Sequence, residues 1–102
     1  MIDLHRITGF DWDSGNARKN EKHGVSQAEA EQVFFKEPLV LLEDSGHSAH
    51  ELRFHALGAT EERRLLHITF TLRLDNTRLR VISARDMHRK EREVYEKTDE
   101  SS

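Results

Sequence analysis

Arginine, histidine and threonine alternate with apolar residues along three stretches in the second half of the chain. In an extended strand, successive side chains point to opposite faces, so this alternation predicts strands with one apolar and one polar face. The three stretches cover residues 51–59, 65–74 and 78–84. Their polar face would gather Arg53, His55, His67, Thr69, Thr71, Arg73, Arg78 and Arg80.

A surface of this composition has the chemistry to bind and cleave a phosphodiester. Arginine binds phosphate through two parallel hydrogen bonds and stabilises the negative charge that develops during phosphoryl transfer. Histidine moves protons near neutral pH. A purely structural interpretation stands beside this one, because antiparallel sheets often leave one polar face in water. An error of one residue in register would also exchange the two faces of a strand.

The elements that would carry this surface follow from periodicity, capping and turn signals. Asp13 can cap a first helix that ends near His23 and Gly24, and the capping box from Ser26 to Glu29 opens a second helix. The predicted order is a strand at 7–12, helices at 13–23 and 26–37, strands at 39–42, 51–59, 65–74 and 78–84, and a helix at 86–97.

These elements predict one α+β domain of two layers over residues 1–97. Short connections between the later strands imply an antiparallel sheet of about four strands. The two N-terminal helices and the C-terminal helix would all cover its apolar face. Residues 98–102 are polar and are expected to form a disordered tail.

Composition limits the classes of protein to which the chain can belong. The 102 residues are 35% hydrophobic and 34% charged, which suits one soluble domain with a modest core. No apolar run approaches the ~20 residues that span a bilayer, and the first residues lack the apolar segment of a secretory signal. We therefore expect a cytoplasmic protein with no membrane partner. The absence of cysteine excludes disulfides, thiol catalysis and cysteine-bound metals.

The net charge of −3 hides an uneven distribution. Residues 1–51 contain 5 basic and 10 acidic residues, whereas residues 52–97 contain 11 basic and 7 acidic residues. Nine of those eleven basic residues are arginines. This balance argues against a general polyanion binder and allows a local arginine-rich site. The charged run at 89–93 is interpreted as the solvated face of the last helix.

A metal centre has only weak support in the sequence. Asp44, His47 and His50 lie in one polar stretch, but such residues in an exposed loop are usually solvated. No spacing typical of a known metal motif occurs. We therefore expect neither a metal nor another cofactor.

Three groups of residues resemble the BrnT family of bacterial toxins, and the similarity covers roughly residues 9–96. The first group is Phe10-Asp11-Trp12-Asp13, Asn20-Glu21-Lys22-His23-Gly24-Val25-Ser26, Glu29-Ala30 and Val33-Phe34. The second is Asp44, His47-Ser48, Glu51-Leu52-Arg53-Phe54 and Leu57-Gly58. The third is Arg80-Val81-Ile82-Ser83-Ala84-Arg85, Glu91-Arg92 and Tyr95.

The resemblance implies a definite function. Proteins of this family are toxins of type II toxin–antitoxin modules, with a fold similar to RelE, and they inhibit translation by cutting RNA without a metal. A BrnA-type antitoxin neutralises the toxin in a heteromeric complex, expected here as a heterotetramer. The antitoxin also binds promoter DNA, so that the complex represses its own transcription.

Within that interpretation, the RNA 2′-hydroxyl attacks the adjacent phosphorus and leaves a 2′,3′-cyclic phosphate. We assign Arg53 and Arg80 to the non-bridging phosphate oxygens. Arg85 has the opposite strand parity to Arg80, so it is expected to act from the strand end. The other expected site residues are catalytic Lys22 and His23 on the first helix, and RNA-binding His55, His67, Arg73, Arg78 and His88. His23 would donate or accept the proton, with His55 and His67 as reserve candidates.

Two hypotheses without catalysis remain beside the ribonuclease. The polar face could dock an antitoxin helix without cleavage, and the chain would then be a catalytically degenerate transcriptional co-repressor. Leu72 slightly favours this hypothesis, because the family commonly has an acidic residue there that could serve as a general base. Gln27 and Met87-His88 also depart from the family pattern. A structural subunit of a transcription regulator is the third hypothesis, but no helix-turn-helix spacing supports it.

Overall fold

The protein is described by a computed structural model that covers residues 3–44 and 52–101. Its elements are a 3-10 turn at Leu4–Arg6, β1 (Gly9–Phe10), α1 (Ser14–Glu21), α2 (Gln27–Val33), β2 (Val40–Asp44), β3 (Arg53–Ala59), β4 (Leu65–Arg73), β5 (Arg78–Asp86) and α3 (Arg89–Ser101). Each predicted helix and strand is present, with shifted ends. The last helix continues to Ser101 rather than ending near Lys97, so residues 98–101 are helical.

The five strands form one mixed sheet in the order β1-β5-β4-β3-β2. The strands β2 to β5 are antiparallel neighbours, as the meander predicts. β1 pairs in parallel with β5 through Gly9–Arg78 and Phe10–Leu79. The α+β class is therefore confirmed. The observed sheet has five strands rather than about four, because the expected antiparallel sheet did not include the parallel strand β1. Two paired residues are too few for that pairing to be predicted from sequence.

Both N-terminal helices begin at the caps that the sequence predicts. The Asp13 side chain accepts hydrogen bonds from Gly15 N and Asn16 N, and the Asn16 side chain accepts one from Asp13 N. Ser26 and Glu29 form the same reciprocal pair at the start of α2. These contacts satisfy backbone donors that a helix otherwise leaves open at its first turn.

The main core lies between the sheet and the helices α1 and α2. The sheet residues buried on this side are Phe54, Ala56, Leu66, Ile68, Phe70, Leu79, Val81 and Ala84. Ala30 and Val33 of α2 are fully buried against them. The apolar half of the predicted alternation is thereby confirmed from Phe54 onward. Leu52, which the alternation also places on this face, precedes β3 and is 61% exposed. Gly58 of β3 lies where α2 crosses the sheet, since an added Cβ would come within 2.6 Å of Val33 Cγ1.

α3 packs on the opposite face of the sheet, so the prediction that all three helices share one face is wrong. Its Tyr95 is buried with Leu57, Ala59 and Met87 in a second, smaller core. Leu57 and Ala59 have the strand parity of Arg53, so the polar face becomes apolar in its second half. That change along β3 is the sequence signal for a helix on this side.

α3 leaves part of this second face uncovered. We name that part the arginine face. It consists of Arg53 and His55 on β3, Thr69, Thr71 and Arg73 on β4, and Arg78, Arg80 and Ser83 on β5. Of these, Thr71 is buried at the base of the surface. The polar half of the predicted alternation therefore lies on one surface, as expected.

A β-bulge in β5 determines which side chains reach that surface. The register of β4 against β5 shifts between Thr69 and Phe70, which leaves Ile82 as an extra residue. The extra residue reverses the alternation, and Arg85 lies on the same side as Arg80. The predicted opposite parity of Arg85 is therefore wrong, because alternation in a sequence does not show a bulge.

Two buried asparagines of α1 bind the edge of β5 beyond the end of β1. The Asn16 amide donates to the carbonyls of Asp11 and Val81, each at 3.0 Å. The Asn20 side-chain oxygen accepts from Ala84 N at 2.9 Å. The two asparagines are four residues apart on one helix, so both face the bulged strand. They supply hydrogen bonds that a longer β1 would have made.

We expect Asn16→Ala to lower the free energy of unfolding by about 2 kcal/mol, because two backbone carbonyls lose their donor. Lys19→Ala, on the exposed side of the same helix, should change that free energy by less than about 0.5 kcal/mol. Urea denaturation of the two variants measures the difference. Equal stability of the two variants would contradict this role of Asn16.

Candidate functional site

The register arranges the residues of the arginine face in rows across neighbouring strands. Thr71 is opposite Arg80, and Arg53 lies one position beyond the Phe54–Phe70 pair, opposite Thr71. Neighbouring strands lie about 4.8 Å apart, so the Cα atoms of Arg53 and Arg80 are separated by about 10 Å. Thr71 lies between them and is buried, and its hydroxyl donates a hydrogen bond to the Leu52 carbonyl at 2.7 Å.

The next row brings an imidazole and two hydroxyl groups beside the arginines. It consists of His55, Thr69 and Ser83. His55 Nδ1 and Thr69 Oγ1 form a hydrogen bond of 3.1 Å. Leu42 of β2 is opposite His55 and is 51% exposed. This row therefore combines a group that can move protons with an apolar side chain at the surface.

Arg80 is held by two carboxylates from the segment that leads into α1. Its Nη1 lies 3.5 Å from Asp11 Oδ2, and its Nη2 lies 2.9 Å from Asp13 Oδ2. Only 19% of the Arg80 side chain is exposed. The hydrogen bond from Asn16 N, followed by that from Arg80, holds the pKa of the Asp13 carboxyl below its usual range. The carboxylates therefore fix the direction of the guanidinium group.

Two more arginines surround the same acidic segment. Arg73 Nη1 lies 3.7 Å from Asp11 Oδ2, and about half of the Arg73 side chain is exposed. Arg78 Nη2 donates to the Phe10 carbonyl at 3.4 Å, and its guanidinium lies over Gly9. Arg73 and Arg80 thus contact the two carboxylates, and Arg78 adds a third positive charge beside the same segment.

Arg85 is bound to α3 at the border of the arginine face. Its two terminal nitrogens lie 2.8 and 3.0 Å from the two carboxylate oxygens of Glu91. Glu91 Oε1 also accepts from His88 N, a contact that caps the first turn of α3. The Arg85 hydrogen bonds are the largest cause of the lowered Glu91 pKa, which is about 2. This ion pair joins β5 to the helix.

His67 lies opposite Arg85 and beside the same ion pair. Only 12% of its side chain is exposed, and its Nε2 lies 3.9 Å from Glu91 Oε2. Burial, followed by the charge of Arg85, lowers the His67 pKa to about 4, so the ring is neutral near pH 7. Its buried Nδ1 has no hydrogen-bond partner among the described residues. The ring packs on His55, with the two ring centroids 4.9 Å apart.

The residues predicted from the sequence occupy different parts of the structure. The arginine face brings together Arg53, His55, Arg73, Arg78 and Arg80, with His67 and Arg85 at its border. Lys22, His23 and His88 are exposed. Among the contacts described for residues 3–44 and 52–101, none joins Lys22 or His23 to Arg80 or Arg85.

Sequence reasoning did not identify the acids that hold the arginines. Asp13 has a recognisable capping position, but its contact with Arg80 depends on tertiary structure. Glu91 belongs to the charged run at 89–93, whose composition predicts only a solvated helix face. Its position three residues after His88 carries more information. That separation is the capping-box spacing and is the signal that indicates the start of α3.

No three His, Asp or Glu side chains in the described part of the chain form a group that could hold a metal ion. The weak metal candidates His47 and His50 lie outside the described residues. None of the helices within residues 3–44 and 52–101 combines the length and apolarity that crossing a membrane requires.

Comparison of the sequence with known families decides the class of protein. The sequence model of BrnT, described as the ribonuclease toxin of type II toxin–antitoxin systems, matches residues 12–91. This chain belongs to the BrnT family. The resemblance stated from the sequence is thereby confirmed, and a ribonuclease toxin of this type has an antitoxin partner. No curated protein matches the chain. The matched residues of this BrnT toxin include the whole arginine face.

Leu72 of the toxin does not belong to the arginine face. It pairs with Leu79 and packs against the main core on the side of α1 and α2. An acidic side chain at this position of the strand would point away from Arg80, which lies on the other face. Leu72 therefore contributes to the packing of the main core, and its identity does not change the composition of the arginine face.

The buried ring of His67 makes the stability of the toxin depend on pH. The pKa decreases from 6.5 in the unfolded chain to about 4 in the folded protein, so at falling pH the unfolded chain binds the proton first. The stability contribution is complete above about pH 6.5 and is lost progressively towards about pH 4. Between pH 7 and pH 5 we expect the free energy of unfolding to decrease by about 2 kcal/mol.

His67→Phe is the matched variant, because it retains a ring at this position and removes the ionisable group. Its free energy of unfolding should decrease much less over the same pH range. Urea denaturation at both pH values measures the two proteins. An equal decrease in wild type and variant would show that another group carries the pH dependence.

Proposed function

We propose that this BrnT toxin cleaves RNA on its arginine face without a metal ion and thereby inhibits translation in the cytoplasm. The observation that supports this proposal is the register of the sheet. It brings Arg53 and Arg80 into one row across the strands and His55 into the next row. Cationic donors and an imidazole therefore occupy neighbouring positions on a rigid surface, as phosphodiester cleavage requires.

The proposed reaction is an internal transfer within the RNA backbone. The 2′-oxygen forms a bond to phosphorus while the bond between phosphorus and the 5′-oxygen breaks. One proton leaves the 2′-hydroxyl and one is delivered to the 5′-oxygen. The products are a 2′,3′-cyclic phosphate and a 5′-hydroxyl, and no other reactant is consumed. Arg53 and Arg80 would bind the non-bridging oxygens and stabilise the negative charge of the transition state.

The acids beside Arg80 are compatible with this role. A guanidinium carries five N–H donors, so contacts at its two terminal nitrogens do not use all of them. Asp11 and Asp13 contact those two nitrogens. Because the carboxylates hold the side chain in one direction, less conformational entropy is lost when a phosphate binds.

The other predicted residues take supporting roles in this proposal. Arg73, Arg78 and His88 would bind RNA on either side of the cleaved bond. Arg85 would contribute positive charge at the border while Glu91 holds it. Lys22 and His23 would contact the RNA where the strand extends past the end of α1.

The antitoxin partner is also specified further in this proposal. We expect a BrnA-type antitoxin that forms a heterotetramer with the toxin and represses its own promoter through a DNA-binding region. Neutralisation would follow if the antitoxin covers the arginine face, since its acidic side chains could replace the phosphates of RNA.

A binding module without catalysis is the second candidate function. One observation favours it, because Arg80 and Arg85 already have carboxylate partners in the protein alone. Such a module would dock the antitoxin, act as a co-repressor and retain RNA without cutting it. Leu72 gives this candidate no further support, since it belongs to the core.

We expect Arg80→Ala to reduce the rate of RNA cleavage by about 10²–10³-fold, because one donor to the developing charge is lost. Arg53→Ala should act in the same direction. Arg89→Ala is the matched control and should cleave at the wild-type rate, since 89% of the Arg89 side chain is exposed on α3.

The measurement uses purified toxin at a low molar ratio to single-stranded RNA in EDTA, followed by analysis of the product ends. Cyclic phosphate ends from wild type and Arg89→Ala, with little product from Arg80→Ala, would support the proposal. RNA that stays intact with wild type, both alone and with added ribosomes, would contradict it and favour the binding module.

A further inference from the structure

We propose that the carboxylate of Asp11 is the general base of the cleavage reaction. This inference rests on the proposed ribonuclease function, and it names the group that takes the proton of the 2′-hydroxyl. It also specifies the part of the arginine face on which the cleaved phosphate lies.

The backbone of Asp11 is held by hydrogen bonds on both of its polar groups. Asp11 N donates to the Leu79 carbonyl of β5 at 2.9 Å, and the Asp11 carbonyl accepts from the Asn16 side-chain amide at 3.0 Å. The two neighbours of Asp11, Phe10 and Trp12, pack against the main core. The Asp11 side chain points to the opposite side of the sheet, where the arginines lie.

Two arginines of neighbouring strands converge on this carboxylate. Arg80 Nη1 and Arg73 Nη1 lie 3.5 and 3.7 Å from the same oxygen, Asp11 Oδ2. Asp11 directly follows β1, and β1 lies on the side of β5 that is away from β4. Both guanidinium groups therefore reach toward the β1 edge of the sheet. This direction takes them away from Thr71, which is buried on β4.

A phosphate can bind at these two guanidinium groups from the solvent side. Both contacts with Asp11 are longer than a hydrogen bond, so the N–H groups can still donate to phosphate oxygens. The Arg73 side chain is 52% exposed. Arg78 lies directly opposite Arg73 on β5. Like charges opposite one another destabilise a strand pair, and a bound phosphate would offset that repulsion.

This location specifies the arginines of the proposed function further. Arg80 binds the cleaved phosphate in both cases. Arg73 is the second arginine at the base, and Arg53, on the far side of β4, contacts a neighbouring part of the RNA.

Asp11 is the carboxylate at this corner with an oxygen available to a substrate. Among the described residues, its ion-pair contacts are made through Oδ2, and 34% of its side chain is exposed. Oδ1 can therefore face the ribose beside the bound phosphate. Both oxygens of Asp13 are in use, because one caps α1 and the other lies 2.9 Å from Arg80 Nη2. The acid that Leu72 does not provide thus comes from the segment before α1.

The charged groups around Asp11 come from three elements. They are Arg73 on β4, Arg78 and Arg80 on β5, and Asp13 at the cap of α1. Protonation of Asp11 would remove both its attraction for the two contacting arginines and its capacity to accept a proton. Cleavage should therefore become slower as the pH decreases.

In the proposed step, Asp11 Oδ1 accepts the 2′-hydroxyl proton while the 2′-oxygen bonds to phosphorus. The bond between phosphorus and the 5′-oxygen breaks, and the 5′-oxygen takes a proton from a water molecule. The protonated carboxyl then gives its proton to the hydroxide that remains. The carboxylate is thereby regenerated, and the protons balance.

The direct test compares Asp11→Asn with Asp13→Asn. Each variant loses a negative charge beside Arg80, and asparagine retains the capping function of Asp13. Single-turnover cleavage by Asp11→Asn should be at least about 100-fold slower than by wild type, because general base catalysis is lost. Asp13→Asn should slow it by less than about tenfold, since only the orientation of Arg80 changes. Glu62→Gln, an exposed acid in the turn between β3 and β4, should match wild type.

The pH–rate profile and two modified RNAs distinguish a base from a carboxylate that only orients arginines. The decrease in rate at falling pH should disappear in Asp11→Asn and remain in Asp13→Asn and Asp11→Glu. An RNA with sulfur in place of the bridging 5′-oxygen has a leaving group that needs no proton, and it should not restore cleavage by Asp11→Asn. Affinity for a 2′-O-methyl RNA, which cannot be cleaved, should not decrease in that variant.

The outcomes separate this inference from the proposed function. If wild type cuts no RNA, alone or with ribosomes, the ribonuclease proposal itself fails. If Asp11→Asn cuts at the wild-type rate while Arg80→Ala does not cut, only the role of Asp11 is overturned. Equal losses in Asp11→Asn and Asp13→Asn, with the pH dependence retained in both, would also overturn it, because both acids would then act through Arg80.

Discussion

The site depends on the hydrogen bonds that join Asn16 and Asn20 of α1 to the edge of β5, where Asn16 donates to the Val81 carbonyl and Asn20 accepts from Ala84 N. β1 covers only the first two residues of β5, and the bulge at Ile82 follows shortly after. Buried backbone groups at this edge would lack partners if α1 did not supply two side-chain amides. The same bulge turns Arg85 to the side of Arg80. The position of α1, the bulge and the composition of the site are therefore coupled.

Carboxylates from other elements orient the arginines of this protein. Arg80 joins β5 to the cap of α1, and Arg85 joins β5 to α3. Arg64 binds Asp86 and Glu29, which ties the start of β4 to α2 and to the end of β5. Partly exposed ion pairs contribute little stability individually, so their main effect is on direction. Acids of the first half thus meet Arg64 and Arg80 of the second half, whereas Asp86 and Glu91 pair with arginines of their own half.

Local signals allowed much of the fold to be predicted, and long-range contacts account for the rest. The caps at Asp13 and Ser26 and the alternation along β3, β4 and β5 depend on neighbouring residues, and the structure confirms them. The pairing of β1, the face chosen by α3 and the bulge each depend on residues distant in sequence. For the site, the alternation indicates which side chains share a surface. The alternation does not indicate that Asp11 would contact Arg80 or that Glu91 would bind Arg85.

The position of α3 determines where the functional half of the sheet ends. Leu57, Ala59 and Met87 are covered by Tyr95, whereas Arg53 two rows away lies beyond the helix. His67 lies at this boundary, with one side against the ion pair of α3 and the other against His55. An apolar residue would pack better there, since the neutral ring leaves a buried nitrogen without a partner among the described residues. A histidine at the boundary therefore lowers the stability of the second core, and it gives the adjoining arginine face an ordered imidazole pair.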